Sequence, residues 1–266
     1  MDTQRTLSGT MVDLDGTPAY VATPGGASPG ADVRGGLVLI HEIWGLVDHI
    51  KDVADRFAAE GYVVIAPDIL GATGVTPDVG LELFTLVSSA DETTRTAAQP
   101  LMRERLAPTN SPEYAEWAVG VLASAVDYLE TQPGVEGRIG VAGFCFGGSY
   151  AFALAAADAR VRAAVPFYGY PPETTSVATI GAAVLAFYGT DDERLMRSLP
   201  GLTAQMADAG VRFTAQTYEG AGHAFFNDTN SISYVPDAAA DAFARALAFL
   251  HTNVEGAGPA DTDGRS

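Results

Sequence analysis

Apolar runs of strand length recur along this chain at GLVLI (36–40), YVVIAPD (62–68), RIGVAG (138–143), VRAAVPFY (161–168), AAVLAFYG (182–189) and RFTAQTY (212–218). Between them lie segments with apolar residues at helical spacing. Val47, Ile50, Val53 and Phe57 precede the stop at Gly61, and Trp117, Val121, Leu122, Val126 and Leu129 precede Gln132-Pro133-Gly134. Further helical stretches are read near 147–157, 195–209 and 237–251. Strands covered on both faces read as continuous apolar runs, and parallel neighbours need a helix-sized crossover between them. The alternation therefore predicts an α/β fold, a mainly parallel central sheet with helices on both faces. Residues 9–13 and 18–22, around Asp15-Gly16, predict a short N-terminal hairpin, and GGASPGADVRGG (25–36) reads as a loop. The interrupted stretch from Gly71 to Asn110 predicts an excursion over the top of the sheet, where binding residues tend to lie. At 266 residues and 47 % hydrophobic, the chain is long enough to bury one such core. We expect a single domain over 1–254 and a flexible polar tail, EGAGPADTDGRS, over 255–266.

Charge narrows the partners. Lys+Arg of 15 against Asp+Glu of 33 leaves a net charge of −18, and Lys51 is the only lysine, so no basic stripe exists to follow a phosphate backbone. Nucleic acid is not an expected partner. The N-terminus lacks a basic region followed by an apolar one, and no apolar run has the length of a membrane span, so a cytoplasmic protein without a membrane partner is expected. One cysteine rules out an intramolecular disulfide and leaves Cys145 to be explained by itself.

That cysteine stands in Gly143-Phe144-Cys145-Phe146-Gly147-Gly148, after an apolar strand and before the apolar helix YAFALAAA. The pattern is the G-x-S-x-G nucleophile elbow with cysteine in the serine position. A reversal this sharp strains the nucleophile's backbone and leaves no room for side chains two residues to either side. The helix N-terminus favours a thiolate, and the Phe146 N–H is placed to receive an oxyanion. As a lone residue Cys145 would equally suit a small buried hydrophobe. In α/β-hydrolases, however, the triad runs nucleophile, acid, histidine along the chain. Here the strand AAVLAFYG leads to Gly189-Thr190-Asp191-Asp192, and the strand ending at Tyr218 leads to Gly220-Ala221-Gly222-His223-Ala224-Phe225. Either aspartate would also suit a helix N-cap; Asp192 is taken as the acid and His223 as the base. No clustered His/Cys set suits a metal, and the chemistry needs no cofactor, so none is expected.

These motifs, with His41-Glu42-Ile43-Trp44-Gly45-Leu46 after the first core strand, resemble the dienelactone hydrolase (carboxymethylenebutenolidase) family of α/β-hydrolases along nearly the whole chain. The resemblance implies hydrolysis of a small-molecule ester or lactone, the family reaction taking 4-carboxymethylenebut-2-en-4-olide to maleylacetate. The family's acid lies three residues after the glycine, which supports Asp192 over Asp191. The resemblance also implies that Glu42 lies near the thiol at rest and is displaced when substrate binds, and that the Ile43 N–H joins that of Phe146 in the oxyanion hole. A carboxylate beside the thiol would favour its protonated form. One departure is visible. The family's naming enzyme carries an arginine, four residues after the histidine, that helps hold the substrate carboxylate; here that position is Asn227. Arg95, Arg103 and Arg105 in the excursion are candidate replacements, and Trp44, Phe144, Phe226 and Asn227 are the expected substrate-facing residues.

Overall fold

The computed structural model describes residues 7–25 and 33–255. Part of the predicted 25–36 loop and the predicted tail from 256 onward lie outside them. Eight strands form one sheet: β1 (Thr10–Leu14), β2 (Thr17–Ala22), β3 (Gly35–Ile40), β4 (Tyr62–Pro67), β5 (Ile139–Phe144), β6 (Val161–Phe167), β7 (Ala183–Gly189) and β8 (Phe213–Tyr218). Their order is β1-β2-β4-β3-β5-β6-β7-β8. The β1/β2 hairpin attaches antiparallel to β4, and all the other pairings are parallel. The sheet is thus the mainly parallel α/β arrangement expected, with its hairpin at one edge. β3, β4 and β5 are buried along their whole length, which is why their sequences are unbroken apolar runs.

The helices are α1 (Asp48–Ala59), α2 (Pro77–Val87), α3 (Glu92–Leu106), α4 (Pro112–Glu130), α5 (Phe146–Ala157), α6 (Glu193–Asp208) and α7 (Pro236–Leu250). The interrupted segment from 71 to 110 is more regular than its sequence suggests. Its prolines and threonines mark helix starts: Thr76 caps α2 ahead of Pro77, and Asp91 caps α3. α5 is apolar on every side because it is buried among neighbouring elements, with Ala151, Phe152 and Leu154 all inaccessible. Helix α6 begins two residues earlier than its periodicity indicates because the Asp192 side chain caps it. No helix among the described residues is long and apolar enough to cross a membrane.

The elbow depends on close backbone contact. A Cβ on Gly143 would overlap the Gly147 carbonyl, and one on Gly147 would overlap the Ile40 and His41 carbonyls at the end of β3. The obstructing atoms are backbone and cannot rotate away. Gly147→Ala is therefore expected to destabilise the fold by about 1–3 kcal/mol, read as a lower urea midpoint with an unchanged slope. An unchanged midpoint would show that α5 can withdraw from β3 freely.

Candidate active site

Every candidate chemical group lies at the carboxyl ends of the parallel strands, the usual ligand side of such a sheet. Cys145 sits between β5 and α5 with φ +55° and ψ −111°, a conformation held by its N–H to the Phe167 carbonyl (3.0 Å) and its carbonyl to the Ser149 N–H (3.1 Å). Such a backbone costs roughly 1–3 kcal/mol and persists only where the surroundings impose it. Among the described residues the other non-glycine positions with positive φ are Asp15, Tyr168 and Ala224. Asp15 belongs to the β1–β2 turn, Tyr168 immediately follows β6, and Ala224 follows His223. Backbone strain therefore gathers around the cysteine.

His223 bridges two elements. Its Nδ1 lies 2.5 Å from Asp192 Oδ2 and its Nε2 lies 3.0 Å from Cys145 Sγ. A carboxylate only accepts, so the ring donates through Nδ1 and turns Nε2 toward the sulfur. Burial disfavours the imidazolium, but the hydrogen bonds to Asp192 and Cys145 outweigh it and raise the His223 pKa to about 10. Asp192 is half-buried, which alone would raise its carboxyl; the His223 bond and the Leu195 N–H on Oδ1 (3.2 Å) instead hold it below the usual range. One residue is thus both helix cap and histidine partner, so the two readings of its sequence position are compatible. Asp191 is exposed, and among the described residues its side chain meets only the Thr190 hydroxyl, at 3.3 Å.

The model of the dienelactone hydrolase family matches residues 17–254. The chain belongs to the dienelactone hydrolase family. It is 30 % identical over 262 residues, covering 90 % of this chain and 95 % of the other, to a Saccharolobus solfataricus protein named "Putative carboxymethylenebutenolidase". Among solved structures, a "Putative Dienelactone Hydrolase" from Klebsiella pneumoniae superposes with TM-score 0.75 at 24 % identity, over 92 % of this chain and 99 % of that one. A dienelactone hydrolase from Anabaena variabilis superposes with TM-score 0.59 at 17 % identity, over 94 % and 99 %. Both structural likenesses speak for the fold. Membership of the dienelactone hydrolase family makes the chain a hydrolase.

Around the Cys145–His223–Asp192 relay, several expected residues take other places. Glu42, at 2 % exposure, accepts from Asn227 Nδ2 (2.7 Å) on Oε2 and from the Tyr168 hydroxyl (3.4 Å) on Oε1, and the cysteine's hydrogen-bond partner is His223. Asn227 is 2 % exposed, and its Oδ1 is used by the Thr229 N–H and hydroxyl while its Nδ2 is used by Glu42. Phe144 and Phe226 belong to the hydrophobic core. Both are buried, with ring centroids 4.9 Å apart, and they pack with Phe167 in an aromatic core because their side chains lie beneath the rim. Trp44 is partly exposed at the rim, edge-on to Phe84 of α2, and the α2 backbone crosses it closely at Gly80. Phe146 is half-buried against His41, Tyr114 and Tyr150. Among the described residues the N–H groups of Ile43 and Phe146 have no acceptor.

Arg95 closes the α2–α3 turn by donating to the Ser89 and Ala90 carbonyls, and Arg103 and Arg105 are exposed in the last turn of α3. Among the described residues no group of three or more His, Cys, Asp or Glu could hold a metal ion. Two residues escaped sequence reasoning. Tyr168 immediately follows β6, and burial together with the nearby Glu42 and Cys145 keeps its phenol protonated and donating. The signal available was its place at a strand's carboxyl end, immediately before Gly169. The second, His41, is buried: its Nε2 accepts from the Ile69 N–H (3.1 Å) and its Nδ1 donates to the Glu42 carbonyl (2.7 Å). Burial lowers the His41 pKa, which agrees with this neutral tautomer and makes it a brace for the Glu42–Ile43 backbone.

Proposed function

We propose that the protein hydrolyses carboxylic esters or lactones by acyl transfer to Cys145. The observation that carries the reading is the contact of Cys145 with His223 and of His223 with Asp192, at a strained elbow with unpaired N–H groups beside it. With the proton held on His223 Nε2, the sulfur attacks the carbonyl carbon. The carbonyl π electrons move onto oxygen, where the Ile43 and Phe146 N–H groups stabilise them. As the carbonyl re-forms, the bond to the leaving oxygen breaks and the imidazolium protonates the departing alkoxide. Water then attacks the thioester and gives a proton to Nε2; collapse releases the acid, and the sulfur's electron pair returns to it. In a lactone the alkoxide stays tethered and the same steps open the ring. Small esters or lactones are the partners this site suits.

The test is chemical. Mixing the protein with a slow-deacylating p-nitrophenyl ester and quenching in acid should give a mass increase of one acyl group, mapped by peptide analysis to Cys145. Turnover without any acyl adduct on Cys145, under conditions where a burst of nitrophenol equals the protein concentration, would remove the reading.

A further inference from the structure

Resting on the assignment of Cys145 as acyl acceptor, we infer that the site selects esters and lactones whose acyl portion carries no negative charge, with Glu42 as the specificity-determining residue. Glu42 accepts at both oxygens, from the Asn227 amide and the Tyr168 hydroxyl, and both donors are neutral. The orientation of the amide follows from the Thr229 N–H (3.0 Å) and hydroxyl (2.6 Å) on Asn227 Oδ1, which leave Nδ2 to face Glu42. Hydrogen bonds from neutral donors hold the carboxylate without cancelling its charge.

Arginines in this part of the fold are engaged elsewhere. Arg56 contacts Asp52 and Asp228, so its positive charge already faces carboxylates. Arg95 serves two carbonyls, and Arg194 is exposed at the start of α6, where its charge acts on Asp192. Arg162 is near the amino end of β6, beside Gly137, on the opposite side of the sheet from Cys145. Meanwhile the Tyr168 hydroxyl is under the influence of both Glu42 and the sulfur, and its ring centroid is 5.1 Å from that of His223. The uncompensated carboxylate is therefore next to the reacting atoms and shielded from salt by burial. A carboxylate on the acyl chain would have to settle beside it. For like charges about 6 Å apart at an effective dielectric near about 20, the penalty corresponds to roughly 100-fold in rate.

The experiment compares p-nitrophenyl hexanoate with the mono-p-nitrophenyl ester of adipic acid, which has the same acyl length and ends in a carboxylate. After subtraction of spontaneous hydrolysis, kcat/KM should favour the neutral ester by roughly 100-fold. The preference should survive about 0.5 M NaCl, which screens the long-range field of the −18 net charge but not a buried neighbour. Glu42→Gln should bring the two esters to within several-fold of each other, whatever it does to the absolute rates. Equal wild-type rates, a preference that vanishes in salt, or a preference unchanged in folded Glu42→Gln would each overturn the inference. The wild-type arms need no variant, so they decide even if Glu42→Gln does not fold. Hydrolysis of both esters at equal rates would leave the acyl-transfer reading standing, whereas a lack of acylation by either would remove that reading instead.

Discussion

Cys145→Ala is expected to lower kcat/KM for an activated aryl ester by about 10⁴-fold or more, with only a small change in stability. The loss is large because the relay ends at the sulfur: His223 Nε2, 3.0 Å from it, would face a methyl group, which cannot attack a carbonyl. Any remaining rate would come from water activated by His223 beside unfilled N–H groups. Stability should change little because alanine is also a residue with a Cβ, so the strain at φ +55° is kept. Comparing urea midpoints with initial rates separates the two effects. A variant that is folded and retains more than about a tenth of the wild-type rate would show that another group attacks the ester.

Asp192→Asn is expected to cost about 10⁴-fold as well, by a different route. The Leu195 N–H holds the Oδ1 end of the side chain, so an asparagine that keeps this cap turns its amide Nδ2 toward His223 Nδ1. Two donors would then face each other, and the ring must accept at Nδ1 and carry its proton on Nε2, the wrong tautomer for a base beside the sulfur. The titration of His223 should move too. In the wild type the Asp192 bond helps raise the pKa to about 10, so the imidazolium persists below that pH; without it the unfavourable burial is less opposed and the ring loses its proton at a lower pH. NMR titration of the imidazole reads this shift independently of rate. Asp191→Asn, at an exposed position whose side chain meets only Thr190, should leave both rate and titration close to wild type. The reverse ranking of the two variants would reassign the acid.

Local physics made the frame legible. β3, β4 and β5 are continuous apolar runs because both their faces are covered, and a covered strand has no polar alternation to disguise it. The elbow was legible for a related reason: a reversal that brings Gly147 against the β3 carbonyls admits no other residue, so the constraint is written in sequence as glycine. The 71–110 excursion was read less well. Its two helices bury few residues, α3 only Ala98, so no long apolar period marks them, and their starts are signalled by capping side chains.

By itself the sequence determined the α/β alternation, the order of cysteine, aspartate and histidine, and the turns that carry them, because each is a matter of local period or local crowding. Tertiary structure decided which polar groups meet. Glu42 and Asn227 are 185 positions apart and nothing local couples them, yet the amide donates to the carboxylate at 2.7 Å. The same holds for Phe144 and Phe226, which look like wall residues beside catalytic motifs but lie in the core. Proximity in sequence to a reactive residue does not settle which side of the sheet rim a side chain faces. Tyr168 became visible only when β6 was placed next to β5, since its link to Glu42 spans 126 positions and is a product of strand order. Hydrogen bonds between distant segments form only after the backbone is fixed, so the fold selects them and the linear pattern does not.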